Sequence, residues 1–192
     1  MDKKKKSKAS VRKIFQYAMP PICNTFGVLL LLVVLAIAMP LSLPRLFGFD
    51  IYAVISPSMS PEIPMGSVVY AKEIAPEDIQ PEDVIVYQSV NDTVTHRVVE
   101  NRVVEGEIIT KGDANAAVDA AVPYQNVIGK VQYHLSFYGD LVPMYNSILG
   151  KIYLIGFGLV GVLLNVLASR LRDRNDELED SSDDTSDTEI DS

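Results

Sequence analysis

The chain has 192 residues, a net charge of −8 and a single cysteine, and 48% of its residues are hydrophobic. The negative charge argues against nucleic acid as a partner, because phosphate binding requires clustered cationic surface. One cysteine excludes an intrachain disulfide, and with only two histidines besides, no structural zinc site is expected. No metal or cofactor is predicted.

The charges are strongly segregated along the chain. Seven Lys or Arg lie within the first thirteen residues, and nine Asp or Glu lie within residues 176–192, which contain no basic residue. Residues 1–20 are interpreted as a basic N-terminus in the cytoplasm, because basic flanks of membrane segments stay on that side. Residues 170–192 are interpreted as an acidic, disordered cytoplasmic tail.

The first apolar segment, residues 21–44, is predicted to be a transmembrane helix. Its membrane span is expected at roughly Ile22 to Met39, opened by Pro20 and Pro21 and closed by Pro40. No charged side chain occurs from residue 14 to residue 44. About twenty apolar residues in a helix are enough to cross a ~30 Å hydrocarbon core. A cleaved signal peptide is the competing interpretation, because "LAIAM" contains a small-x-small pattern behind a basic leader. Both interpretations leave the residues that follow outside the cell.

The second apolar segment is predicted to be a membrane helix over residues 148–169. Gly156, Gly158 and Gly161 in this segment would allow close packing against another helix. Three arginines follow directly and favour the cytoplasm. The prediction is therefore a multi-pass protein of the cell membrane, with both termini inside and residues 45–147 outside.

Residues 45–147 are predicted to form one compact β domain, a barrel or sandwich of six or so short strands. Runs rich in Val, Ile, Tyr and Thr alternate with Gly, Pro, Asp and Asn, and no long helical periodicity appears. The run "VVEGEII" predicts a hairpin that turns at Glu105 and Gly106. The predicted fold class is thus mainly β, flanked by two transmembrane helices.

Three kinds of side chain in this domain could act together in hydrolysis. Ser58 lies in a turn-rich loop, and strand alternation puts His96 on the same apolar face as Val94 and Val98. Asp113 and Asp119 lie in an irregular connection further on. A serine hydroxyl needs a base to take its proton, and a carboxylate orients the imidazole. These observations leave open which aspartate takes that place.

The motifs "SPSMSP", "HRVV" and "TKGDANAAVD", in this order on an outer β domain, resemble type I signal peptidases. The resemblance covers roughly residues 25–135. It is closest to the endoplasmic-reticulum and archaeal branch, also found in some Gram-positive bacteria, since His96 stands where the common bacterial branch has Lys. Two departures are Pro57, where the family commonly has Gly, and Ser60, where it commonly has an acidic residue.

The resemblance also implies roles for individual residues. Ser58 corresponds to the nucleophile and His96 to the general base. Asp119 corresponds to the partner of His96, and Asp113 to a second, structural carboxylate. The Ser56 hydroxyl and the Ser58 N–H correspond to the donors that stabilise the oxyanion.

The implied function is that of a membrane-bound serine endopeptidase that removes signal peptides after small residues at positions −3 and −1. Its partners would be preproteins with signal peptides, the lipid bilayer and protein-translocation machinery. The alternative is a membrane-anchored β domain that binds extracytoplasmic partners without catalysis. Lys72, which could be proposed as the base of a Ser-Lys pair, is interpreted as a solvated strand-end residue, and Met59 as an apolar plug beneath the serine loop.

Overall fold

The structure is a computed structural model that describes residues 2–90 and 92–187, with side chains described for 15–90 and 92–177. The described residues form three α-helices and seven strands. They are α1 (Asp2–Leu46), β1 (Phe49–Ala53), β2 (Val68–Lys72), β3 (Val84–Gln88), β4 (Thr93–Arg102), β5 (Glu107–Lys111), β6 (Val122–Pro123), β7 (Val127–Leu135), α2 (Leu141–Asn146) and α3 (Ile148–Asp187), with short 3₁₀ turns at Pro76–Asp78 and Tyr124–Asn126.

The chain divides into two compact units. One is Ile37–Lys151, which holds all seven strands, and the other combines the helical segments before and after it. The strands form a single curled sheet in the order β1-β2-β7-β3-β4-β5-β6, with antiparallel pairing throughout. Register shifts at three of the pairings increase the local twist. The predicted mainly β fold is confirmed.

Strand alternation sorts the apolar side chains of the sheet into three clusters. On β2, Val69 and Ala71 enter one cluster while Val68 and Tyr70 enter another on the opposite face. On β3, Val86 joins the first of these clusters, whereas its two neighbours in the strand enter the third. Both faces of the central strands are therefore buried.

The predicted hairpin is present between β4 and β5. Gly106 closes its turn with φ +69°, a left-handed backbone conformation that glycine adopts without a steric penalty.

Two helices are long and apolar enough to cross a membrane, Phe15–Leu46 and Ile148–Glu177. Only 11% of the most apolar 18-residue stretch of each helix is buried, whereas the core helix of a soluble protein is mostly buried. Within the helical unit the two segments pack through glycines. A β-carbon on Gly27 would lie 2.9 Å from the Gly161 carbonyl oxygen, and one on Gly161 would lie 2.8 Å from Leu31 Cγ. The predicted close packing occurs at Gly161, while Gly156 and Gly158 face open space.

The helices extend beyond the predicted spans. Helix α1 passes through Pro40 and ends at Leu46, so this proline does not close it. Pro20 has no backbone N–H to donate to the Gln16 carbonyl one helical turn earlier. The side-chain amide of Asn175 donates to that oxygen instead, at 3.0 Å. Helix α3 runs through Asp187 where the composition predicts a disordered tail, and no Pro or Gly after Gly161 interrupts it. The last five residues of the predicted tail lie outside the described residues.

Candidate functional site

Ser58 lies on the loop that joins β1 to β2, and apolar burial anchors that loop. Met59 is fully buried and Ile63 is 2% exposed, in the cluster that includes Val54 at the start of the loop. Burial of each side chain of this size stabilises the folded state by about 1.5–3 kcal/mol. The backbone turns tightly here, because the Ser60 N–H donates to the Pro57 carbonyl at 2.9 Å. The anchored loop leaves Ser58 half-buried at the surface, and Met59 occupies the predicted plug position.

His96 lies on β4 and points into the core, as the alternation predicts. It is 7% exposed and lies between half-buried Val94 and fully buried Val98 on the same strand face. Its Nδ1 atom is 2.6 Å from Oδ2 of Asp119. The imidazole and the Tyr87 ring pack in an edge-to-face arrangement, with 6.4 Å between the ring centroids.

Asp119 is held by groups of two strands. Its Oδ2 atom accepts a hydrogen bond from the Thr110 hydroxyl at 2.7 Å, and the Tyr87 hydroxyl is 3.4 Å away. Its backbone N–H donates to the Thr110 carbonyl at 2.8 Å. Burial, with a smaller effect from the Asp119 charge, raises the pKa of Tyr87, so this phenol stays protonated at neutral pH.

Asp113 has a different partner, Arg97. The guanidinium binds it through two parallel hydrogen bonds, both at 2.8 Å, and also donates to Glu62 at 2.7 Å and to the Glu82 carbonyl at 2.9 Å. The hydrogen bond to Asp113 is the main reason that the pKa of Arg97 is raised. Arg97 therefore connects the serine loop, through Glu62, to the connection that carries Asp113.

Gly112 is the position at which the serine loop and the histidine converge. A β-carbon at this residue would lie 2.7 Å from the Ser58 carbonyl oxygen and 2.9 Å from His96 Nε2. It would also lie 2.8 Å from the side-chain amide of Asn115. The Ala114 N–H donates to the same Ser58 carbonyl at 2.8 Å, which fastens the two loops together. The Ser58 backbone carbonyl and the Nε2 side of the imidazole therefore border one small gap that admits no side chain, while the Ser58 hydroxyl has the Ser56 hydroxyl as its described partner.

An open cleft of about 300 Å³ lies beside these groups. It is lined by the end of β1 and the loop that follows it, through Ser58, by residues 92–96 and by Asn115. The Ser56 hydroxyl lines this cleft and lies 3.0 Å from the Ser58 hydroxyl. Residues Thr93–His96 pair with β3 on one side, while the pairing with β5 begins only at Arg97.

Lys72, the other candidate base considered from the sequence, does not line this cleft. It is exposed at the end of β2, with its amino group 5.7 Å from the centre of the Phe49 ring. Across the part of the chain that the structure describes, no group of three His, Cys, Asp or Glu residues could hold a metal ion.

Sequence reasoning missed Thr110, Arg97 and Gly112 as parts of this arrangement. Alternation on β5 could have found Thr110, since it shares the inward face with Ile108, and both are fully buried. No local signal identifies the partner of Arg97, because Asp113 is sixteen residues away along the chain.

A hydroxyl, an imidazole and a carboxylate on a curled antiparallel sheet are the groups that a hydrolytic triad requires. No protein-family model matches the chain. The chain is similar to signal peptidase I W of Bacillus subtilis (strain 168), with 37% identity over 117 residues. The match covers 58% of this chain and 60% of the relative's length. This similarity supports the resemblance to type I signal peptidases, and it does not distinguish the branches of that family.

Proposed function

We propose that the chain is a membrane-bound serine endopeptidase that removes signal peptides from preproteins. The observation that carries the proposal is the convergence at Gly112. His96 Nδ1 contacts Asp119 at 2.6 Å, and its Nε2 atom borders the same small gap as the Ser58 carbonyl. Similarity to a signal peptidase and the presence of two helices that could cross a membrane support the substrate class and the location.

In the proposed mechanism the substrate lies in the cleft as an extended strand. The edge of residues 93–96 that does not pair with β5 offers backbone groups to such a strand. The cleft has room for small side chains, which fits a requirement for small residues at positions −3 and −1 of the cleavage site. Ser58 lines this cleft, which supports a position of the scissile carbonyl beside its hydroxyl.

His96 carries the proton in the proposed mechanism. The Ser58 hydroxyl attacks the carbonyl carbon while Nε2 of His96 takes its proton, and Asp119 stabilises the imidazolium through Nδ1. The Ser58 N–H and the Ser56 hydroxyl donate to the oxyanion. The imidazolium then protonates the leaving amine as the C–N bond breaks. Water attacks the acyl-enzyme, gives a proton to His96, and releases the signal peptide as Ser58 recovers its hydrogen.

Asp113 has a structural role in this proposal, since both of its oxygens bind Arg97. A histidine as base supports membership of the endoplasmic-reticulum and archaeal branch of type I signal peptidases. Pro57 is compatible with the loop, because its carbonyl accepts the turn hydrogen bond from Ser60 and the Ser58 N–H remains available.

The membrane orientation follows from the basic flanks. Both termini lie in the cytoplasm and the β domain lies outside, beside the outer leaflet, where preproteins present their cleavage sites. Anchoring enzyme and substrate in one bilayer raises their effective concentration. Labelling of single cysteines introduced at residues 7 and 104 of a Cys23→Ser variant tests this topology. A membrane-impermeant thiol reagent should modify only position 104 in intact cells; modification of position 7 instead would refute it.

The test of activity uses the full chain in liposomes with a preprotein whose cleavage site has alanine at −3 and −1. Ser58→Ala and His96→Ala should each abolish cleavage while the fold persists. Ser60→Ala is the matched control, because it removes a hydroxyl two residues away in the same loop and should cleave normally. Retained cleavage by Ser58→Ala would overturn the proposal. Preprotein binding without cleavage by the wild-type chain would favour a β domain that only binds partners.

A further inference from the structure

One oxygen of Asp119 carries almost all of that side chain's described contacts. Oδ2 is 2.6 Å from His96 Nδ1 and accepts the Thr110 hydroxyl at 2.7 Å. The Tyr87 hydroxyl, at 3.4 Å, lies beyond the usual range for a strong O–H···O hydrogen bond. Among the described hydroxyls, that of Thr110 is therefore the nearest to the carboxylate and can restrain it.

The need for such a restraint follows from where Asp119 lies in the fold. It belongs to the irregular connection between β5 and β6, so strand pairing does not fix its side chain. Thr110, in contrast, is fully buried on β5. It holds Asp119 twice, because its carbonyl accepts the Asp119 N–H at 2.8 Å and its hydroxyl donates to the carboxylate. A group in a rigid strand thereby sets the position of a group in a loop.

We propose that the Thr110 hydroxyl is a positioning group for the reaction, which holds Asp119 in the orientation that His96 requires. The inference rests on the proposed function and adds to it a residue that does not touch the substrate. Its hydrogen bond to a charged acceptor is of the stronger kind, and it also stabilises the negative charge that faces the imidazolium. Loss of this hydroxyl would let the carboxylate turn away from Nδ1 without removing any member of the triad.

Two substitutions at Thr110 separate the hydroxyl from the packing of the side chain. Thr110→Val keeps the shape and loses the hydroxyl, whereas Thr110→Ser keeps the hydroxyl and loses a buried methyl group. We expect Thr110→Val to lower kcat by about 10- to 100-fold with KM within about twofold, as the loss of one hydrogen bond to a charged group implies. We expect Thr110→Ser to retain kcat within about threefold while its thermal midpoint falls, because burial of a methyl group is lost.

A purely structural role for Thr110 predicts the opposite order. Thr110→Val would then cleave like the wild type, and Thr110→Ser would be the weaker enzyme; either result overturns the inference. If Thr110→Val does not fold, Thr110→Ser decides alone: kcat near that of the wild type supports the inference, and a loss above about tenfold in a folded protein refutes it.

Ser58→Ala, measured beside these variants, separates the two proposals. If Ser58→Ala is inactive and Thr110→Val matches the wild type, the positioning role fails while the proposed function stands. If Ser58→Ala cleaves normally, the proposed function fails, and the role of Thr110 fails with it.

Discussion

Substitution of Gly112 by alanine tests the convergence of the site more directly than removal of any one functional group. The added β-carbon would meet the Ser58 carbonyl oxygen at 2.7 Å, the Asn115 amide nitrogen at 2.8 Å and His96 Nε2 at 2.9 Å. Ordinary contacts of a β-carbon begin at 3.4 Å. The backbone of Ser58 and the imidazole must therefore both retreat, each by roughly half an ångström or more, in order to relieve overpacking of this kind.

The expected effect on catalysis follows from that displacement. A misplacement of about 1 Å can cost on the order of 100-fold in rate, so a combined shift of this size should lower kcat by about 30- to 100-fold. Overpacking should also lower the free energy of unfolding by about 1–3 kcal/mol. The loss of activity should persist under conditions in which the variant is fully folded.

Gly106→Ala is the matched control, with the same substitution in the same domain. Its φ of +69° makes alanine strained, by about 1–2 kcal/mol, but no atom lies within 4 Å of the added carbon. We expect Gly106→Ala to lose stability without loss of kcat, measured by chemical unfolding and by cleavage of the reporter preprotein. If Gly112→Ala instead cleaves at the wild-type rate, Ser58 and His96 do not need this close approach, and the proposed geometry is wrong.

Three further predictions concern groups around the site and in the helices. Arg97→Lys loses the bidentate hydrogen bonds to Asp113 and should lower the free energy of unfolding by about 2 kcal/mol, measured by urea unfolding. Arg102→Lys is the control, and no measurable change is expected because the ion pairs of Arg102 are exposed. The free energy of unfolding should fall as pH rises above about 10, because tyrosines of the unfolded chain release their protons there while burial raises the pKa of Tyr87 in the folded state. Tyr87→Phe should make this fall with pH shallower; an unchanged dependence on pH would refute the contribution of Tyr87. Gly27→Ala should lower the thermal midpoint of the chain in detergent, because its β-carbon would lie 2.9 Å from a backbone carbonyl oxygen of the other helix. Gly156→Ala is the control and should leave the thermal midpoint unchanged, because Gly156 has open space around it.

Periodicity in the sequence was enough to predict much of the β domain. Alternation along β4 gives the inward direction of His96, and the apolar character of Met59 between two prolines gives its buried position. The hairpin at Gly106 follows from its turn residues. These features depend on neighbours in the sequence, which is why local patterns are sufficient to find them.

Other features depend on contacts that are remote in sequence. Pro40 does not end α1, although a proline in a helix removes a hydrogen bond and usually interrupts it. The residues just around it pack on the sheet, where Leu41 is 1% exposed in a cluster with Ile51 and Val142. Tertiary packing thus outweighs the local cost, and no pattern within the helix itself reports that packing.

The choice between the two aspartates has a structural origin that the sequence contains only implicitly. His96 and Arg97 are consecutive residues of one strand, so their side chains leave it on opposite faces. His96 points into the core, where it meets Asp119, and Arg97 points the other way, where it binds Asp113. The five residues between the aspartates carry the chain from one of these partners to the other. Identical carboxylates thereby acquire different partners, because strand geometry brings one to an imidazole and the other to a guanidinium that is always charged.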